Sequence, residues 1–282
     1  MLPRIDQLID LALEEDAGLG DLTSRAIFSP RHRSRAVITA GHDLAVCGLE
    51  VAARVFARAE PALRTRCAAH DGDWVHRGQA VLRIEGPTIG LLTAERTALN
   101  FLQRLSGIAT QARRFAAAAR PSGVRIVDTR KTTPAFRALE KYAVRCGGCG
   151  NHRGSLGEHV LIKDNHIAAA GSLARAVSRA RAAAPHLAKI GVEAKTLAEV
   201  GEACRARADV ILLDNMAPGQ IRAAVRRIAG RAVVEVSGGV RLANLADYAL
   251  PGVDVISVGA LTHSAPAADL SLSVRPVRRA RL

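Results

Sequence analysis

The sequence predicts a mixed α/β protein, an open and incomplete parallel βα barrel with an N-terminal α+β domain. Three observations carry this. Short β-branched runs recur from about residue 124 onward, stretches rich in Ala and Arg separate most of them, and each run ends in polar, charged or glycine residues. Strand and helix alternating in this way is the pattern of βαβ units and a parallel sheet. A chain of 282 residues is long for one compact domain and suits a barrel plus a smaller domain. Apolar residues make up 49% but aromatics only 3%, so the core has to be built from Ala, Val, Leu and Ile.

Residues 4–16 place Ile5, Leu8, Ile9, Leu11 and Leu13 at helical spacing and end in acids, which predicts an amphipathic helix. SRAVITA (34–40) and QAVLRI (79–84) read as short strands, with Gly72, Gly78 and Gly86 marking turns. Residues 90–119 read as a long helix, with a break expected at Ser106-Gly107. The barrel strands follow as VRIVDT (124–129), VLIKD (160–164), IGVEA (190–194), VILLD (210–214), AVVEVSG (232–238) and VDVISVG (253–259). Helices are expected at 172–184, 196–208, 217–230 and 241–249. Continuous apolar runs, rather than alternating ones, suit strands covered on both faces. Six clear strands leave the barrel open. The expected division is 1–112 for the N-terminal domain, joined by 266–282, and 113–265 for the barrel.

Composition narrows the function. The net charge of +14 invites a nucleic-acid partner, but the basic residues are nearly all Arg, spread along the chain and not interleaved with aromatics. No nucleic acid is therefore expected. No apolar stretch reaches the ~20 residues of a membrane span, and the N-terminus lacks a signal peptide's apolar run, so a cytoplasmic protein is expected. Five cysteines (47, 67, 146, 149 and 204) without a secretory signal imply reduced thiols. Cys146 and Cys149 form one CxxC, with no second pair at zinc spacing.

The strand ends carry the chemistry. They read Asp128-Thr129-Arg130-Lys131, Lys163-Asp164-Asn165-His166, Glu193-Ala194-Lys195, Asp214-Asn215, Ser237-Gly238-Gly239 and Gly259-Ala260. In a parallel barrel such ends converge on one face. The glycine loops suit phosphate or a tight βα turn. Glu193 and Asp214, one repeat apart, suit Mg2+ or an ion pair with a nearby base. Arg130, Lys131, Arg153 and Lys163 would repel one another unless a polyanion joined them. The residues alone describe a site for multiply anionic, phosphorylated substrates.

AERTALNFLQRLSGIAT (94–110), DTRKTTPAFRALEKYAVRCGG (128–148), NHR (151–153), LIKDNHI (161–167), VILLDNM (210–216) and VGALTHS (258–264) resemble the motifs of the quinolinate phosphoribosyltransferase family, and EDAGLGDLTS (15–24) its N-terminal signature. The resemblance runs over essentially the whole chain. It implies an N-terminal α/β domain with an open barrel, and a homodimer or hexamer whose sites are shared between subunits. It implies substrates quinolinate and phosphoribosyl pyrophosphate, with Mg2+. Arg130, His152 and Arg153 would line the quinolinate pocket, with Lys131 and Lys163 close to both substrates. Arg96 would reach in from the partner chain. Glu193 and Asp214 would hold Mg2+ and the ribose or pyrophosphate, and Ser237, Gly238, Gly239, Gly259 and Ala260 the 5′-phosphate. Lys131, Lys163, Glu193 and Asp214 are the implied catalytic set. The chain departs from the family pattern at Cys149, where a third glycine is usual, at Gly154-Ser155-Leu156 after NHR, and at Gly191, where an acid is frequent.

Other readings make different predictions. A relative from molybdate-transport operons or a specialised paralogue would share the phosphoribosyl half of the site but take another acceptor. A basic scaffold would bind nucleic acid in a salt-sensitive way. A redox protein would depend on Cys146.

Overall fold

The computed structural model describes residues 5–276. Position 4 of the expected first helix and positions 277–282 of the expected C-terminal segment lie outside the described residues. The chain divides into two compact units. The first comprises 1–113, 134–148 and 265–282; the second comprises 114–133 and 149–264. Segment 134–148, which the sequence places in the barrel, belongs to the first unit. Its helix carries buried Leu139, Glu140, Ala143 and Val144, and its partners lie in that unit.

The first unit opens with α1 (Ile5–Ala17) and α2 (Leu22–Ile27). Asp21 starts α2 by accepting from the Ser24 amide at 2.8 Å, an N-terminal cap. Then come β1 (Arg33–Ala40), β2 (Leu44–Ala45), α3 (Leu49–Ala59), β3 (Arg64–Cys67), β4 (Trp74–Val75) and β5 (Ala80–Pro87). In β1 Ser34, Ala36, Ile38 and Ala40 are buried while Arg33 and Arg35 are exposed, the period-two pattern of a sheet with one wet face. α3 has no side-chain cap of its own. Gly48, at φ 98°, turns the chain into it, and Asp71 accepts from the Gly48 and Leu49 amides at 3.0 Å each.

Helix α4 (Thr88–Ala119) is continuous, so the break expected at Ser106-Gly107 is absent. Those residues serve tertiary contacts instead. Ser106 is buried; its hydroxyl donates to the Cys47 carbonyl and accepts from the Cys47 amide. A Cβ at Gly107 would stand 2.0 Å from the Pro266 carbonyl, so only glycine lets the 265–268 segment approach.

The second unit holds β6 (Arg125–Val127); helix α5 (Arg137–Cys146) follows in the chain but belongs to the first unit. Then come β7 (Val160–Ile162), α6 (Asp164–Ala170), α7 (Leu173–Ala183), β8 (Ile190–Ala194), α8 (Leu197–Arg205), β9 (Val210–Asp214), α9 (Pro218–Ile228), β10 (Val233–Ser237), α10 (Leu245–Tyr248), β11 (Val255–Ser257) and α11 (Ala260–His263). Thr196 and Glu199 form a reciprocal capping box on α8, and Pro218 opens α9, where its missing N–H costs nothing. The six strands form one parallel sheet in the order β6-β11-β10-β9-β8-β7, open between β6 and β7. This is the open parallel βα architecture the sequence predicts. β12 (Leu270–Pro276) belongs to the first unit, where it pairs antiparallel with β1 and completes the order β12-β1-β5-β3.

Candidate active site

Register sets the site. Ser257 pairs with Val127 and with Ser237, Ser237 with Asp214, Leu213 with Ala194, and Val192 with Ile162. Because all six strands run the same way, their C-terminal ends form one edge of the sheet. Asp128, Lys163, Glu193, Asp214, Ser237 and the Val258-Gly259 segment therefore stand along that edge.

At one end of the edge Asp128 is fully buried. Its Oδ2 accepts from Asn151 Nδ2 at 2.6 Å and its Oδ1 from the His152 amide at 2.8 Å. This carboxylate anchors the 151–153 segment beside β6. The Arg153 amide donates to His152 Nδ1 at 2.8 Å, which assigns the ring proton to Nε2, and Nε2 lies 3.4 Å from Oε1 of buried Glu235. Arg153 is 9% exposed and donates to the His159 carbonyl at 2.9 Å. Burial, and next the charge of Arg130, hold its pKa below the ordinary guanidinium value. Two cations crowd together in a partly desolvated place, a setting that an anionic ligand would relieve.

Lys131 is exposed. Its carbonyl accepts from buried Thr262 Oγ1 at 2.7 Å. A Cβ at Gly259 would stand 3.3 Å from Lys131 Cδ and 2.9 Å from His263 Nε2, so the glycine leaves room for both side chains. Further along the edge Lys163 pairs with Glu193. The ion-pair reading of Glu193 thus describes it here, with Lys163 as the base. Beyond it Lys195 donates to Asp164 at 2.7 Å; this bond lowers the pKa of Asp164 and raises that of Lys195. Asp214 is half-buried, and among the described residues no ion pair engages it. The donor chemistry at Glu193 and Asp214, two carboxylates on adjoining strands, fits a hard divalent cation such as Mg2+.

The Ser237-Gly238-Gly239 loop has φ of 98° at Gly238 and 67° at Gly239. A Cβ at Gly238 would stand 2.2 Å from Asn215 Oδ1. Nothing lies within 4 Å of the corresponding point on Gly239, which leaves its backbone approachable. Ala260 begins α11.

The second unit therefore brings together Arg130, Lys131, His152, Arg153, Lys163, Glu193, Asp214, Ser237, Gly238, Gly239, Gly259 and Ala260. Arg96 is not among them. It lies on the exposed side of α4 in the first unit. Sequence reasoning missed two buried acids, Asp128 as an anchor and Glu235 as the partner of His152. A charged residue inside the apolar run AVVEVSG was the available signal for Glu235, since an acid in a buried strand needs a partner. The CxxC reading finds separate surroundings for its two halves. None of the five cysteines is in a disulfide among the described residues. Cys149 is buried in the second unit, its thiol pushed up to about 12 mainly by burial. Cys146 closes α5 in the first.

A parallel βα sheet with cations, paired carboxylates and glycine loops along its C-terminal edge defines an enzyme of the class that handles phosphorylated anions. Comparison with known proteins narrows this. The model of the quinolinate phosphoribosyl transferase C-terminal domain matches residues 108–273, and that of the N-terminal domain residues 21–106. The chain belongs to the quinolinate phosphoribosyl transferase family. It is 40% identical over 271 residues to a protein named as a probable carboxylating nicotinate-nucleotide pyrophosphorylase of Bacillus subtilis, covering 96% of this chain and 93% of the other. It is 41% identical to the decarboxylating quinolinate phosphoribosyltransferase 1 of Nicotiana glauca, covering 95% of this chain and 81% of that one. The crystal structure of NadC from Streptococcus pyogenes matches with a TM-score of 0.93 at 39% identity, covering 99% of each chain.

Proposed function

We propose that this chain transfers the phosphoribosyl group of phosphoribosyl pyrophosphate to quinolinate with loss of CO2, giving nicotinate mononucleotide and pyrophosphate for NAD biosynthesis. The observation that carries the reading is buried Arg153, with the charge of Arg130 acting on it and His152 next to it in the chain, in a protein whose relatives of the same family span nearly its whole length. A pyridine dicarboxylate carries two negative charges that suit such a pair of guanidinium groups.

The residues divide the work. Arg130, Arg153 and His152 bind the carboxylates of quinolinate and aim its ring nitrogen. Lys131 and Lys163 offset the charge of both substrates, and the 237–239 and 259–260 backbone receives the 5′-phosphate. Attack of the ring nitrogen on ribose C1 expels pyrophosphate; the adjacent carboxylate then departs as CO2, the electron pair left on the ring carbon is stabilised by the neighbouring cationic nitrogen, and a proton from solvent completes the new C–H bond. The protein's task is to hold two anions together against their repulsion and stabilise departing charge. Mg2+, held by Glu193 and Asp214, would supply further charge neutralisation of the phosphate oxygens when bound. Arg96 is assigned to a neighbouring subunit's site in a homodimer or hexamer, and the reaction to the cytoplasm. Among the described residues no helix is long and apolar enough to cross a membrane.

The test is CO2 release from carboxyl-labelled quinolinate, with single omission of each component. Release that needs quinolinate, phosphoribosyl pyrophosphate and Mg2+ together supports the reading. Well-folded protein that releases none, yet couples another aromatic acid to the ribosyl donor, replaces the acceptor. The shared site is tested by mixing Arg96→Ala and Lys131→Ala chains: activity returns on subunit exchange if Arg96 acts across the interface, and stays absent if it does not.

A further inference from the structure

Away from the strand-end site, three side chains of the first unit converge. Cys47 Sγ, a carboxylate oxygen of Asp71 and Cys146 Sγ all lie within 4.8 Å of one another. Cys47 is fully buried, and Asp71 and Cys146 are half-buried. None of the three takes part in the phosphoribosyl transfer described above.

Their supports are fixed. The Cys47 amide donates to Ser106 Oγ at 3.0 Å, and the same hydroxyl donates to the Cys47 carbonyl at 3.2 Å, which ties this residue to α4. Asp71 Oδ1 accepts from the Gly48 and Leu49 amides at the start of α3, and Oδ2 accepts from the Tyr142 hydroxyl at 2.9 Å. The turn carrying Asp71 lies against the end of α5: a Cβ at Gly72 would stand 3.2 Å from the Cys146 carbonyl. The residue after Cys146 is clamped as well, since a Cβ at Gly147 would stand 2.4 Å from the Ala109 carbonyl. Three ligand-bearing segments are thus positioned by contacts that need no ligand. Those to the Asp71 carboxylate have the form of the outer hydrogen bonds that orient metal ligands.

The donor set names the ion class. Two sulfurs and one carboxylate oxygen favour a thiophilic cation over Mg2+ or Ca2+. Tetrahedral Zn2+ takes sulfur at about 2.3 Å and carboxylate oxygen at about 2.0–2.2 Å, which sets neighbouring ligand atoms roughly 3.5–3.8 Å apart. That spacing falls inside the observed separation. We propose that Cys47, Asp71 and Cys146 form a binding site for one thiophilic divalent cation, Zn2+ foremost, with a fourth position left to water. Binding exchanges the two thiol protons for the metal, and it staples the start of α3, the Asp71 turn and the end of α5 to one another.

Cobalt tests this directly. The full-length protein, reduced with a phosphine and stripped by chelator, is titrated with Co2+. The expected result is one ion per chain with the thiolate-to-cobalt absorption of the near ultraviolet, and its loss when Zn2+ is added. Cys47→Ser or Cys146→Ser is expected to weaken binding by more than about a hundredfold, because outer-shell changes alone cost ten- to a hundredfold. Cys67→Ser, Cys149→Ser and Cys204→Ser are expected to leave the absorption intact. Metal at Glu193 and Asp214 is silent in this band because it has no sulfur ligand, so the outcome is independent of the phosphoribosyl site. Absence of the band in the reduced wild-type protein overturns the proposal, and so does its survival in Cys146→Ser.

Discussion

In the first unit the buried carboxylate of Glu140 meets Arg104, whose Nη2 and Nε donate to Oε1 at 2.6 and 3.1 Å, while Nη1 of the same guanidinium donates to the Ala265 carbonyl at 3.1 Å. In the second unit the buried guanidinium of Arg153 has Arg130 as the neighbouring charge that depresses its pKa. The first arrangement joins opposite charges and holds its own segments together. The second sets like charges near each other, with Glu158 acting in the opposite sense on Arg153, an arrangement that a bound anion would favour. The Arg104–Glu140 pair is therefore a structural device, whereas Arg153 is proposed to serve binding, and substitutions separate the two.

The largest effect is expected from Arg104→Ala. Removing Arg104 takes two charge-assisted hydrogen bonds from the buried Glu140 carboxylate and costs about 3–5 kcal/mol of stability, read as a lower urea midpoint, while the folded fraction keeps its kcat. Arg153→Ala is expected to reverse the pattern. Activity, measured as kcat/KM, falls on the order of 10²–10³-fold, the urea midpoint holds or rises, and Arg153→Lys fails to rescue because a point charge does not reproduce the planar fork. Equal stability losses in the two variants would erase the contrast between the units.

Gly238→Ala is a smaller test of the strand edge. It forces a side chain into left-handed backbone and against Asn215, costing about 1–3 kcal/mol, and the KM for phosphoribosyl pyrophosphate is expected to rise more than that for quinolinate. The smallest effect belongs to the exposed Asp164–Lys195 pair. The folded pKa of Asp164 is depressed, so its contribution is present above the unfolded carboxylate value of about 3.9 and is lost as pH falls through the folded one. The folded pKa of Lys195 is raised, so its contribution is present below about 10.4 and is lost as pH rises through the folded value. Asp164→Asn should therefore differ from wild type by a small, constant amount in urea midpoint from about pH 5 to 9, and the difference should shrink in acid.

The sheet and the strand-end residues were legible because both are local patterns. Val, Ile and Leu runs such as VILLD announce buried strands, and a polar group directly after each run, as at Asp214 or Lys163, lies at a position the repeat defines. What stayed hidden depends on distant partners. Ser106-Gly107 reads as a helix break until Cys47 and Pro266 are seen against it. Two-residue strands such as Leu44–Ala45 carry too little pattern to register, and they exist because Trp74–Val75 pairs with them. RALEKYAVRC sits between two barrel strands in the chain, yet its apolar face serves the other unit. Glu235 was masked by the apolar residues on both sides of it.

The pairing of β1 with β12 has a consequence for how the protein is made. Arg35 lies opposite Arg275, so a strand synthesised near the start of the chain waits for one near its end. On a ribosome the six-stranded sheet, lying between them in sequence, can form first, while one edge of β1 stays open until β12 emerges. Chains released early by truncation would keep that edge exposed, and an unpaired strand edge invites association with other chains.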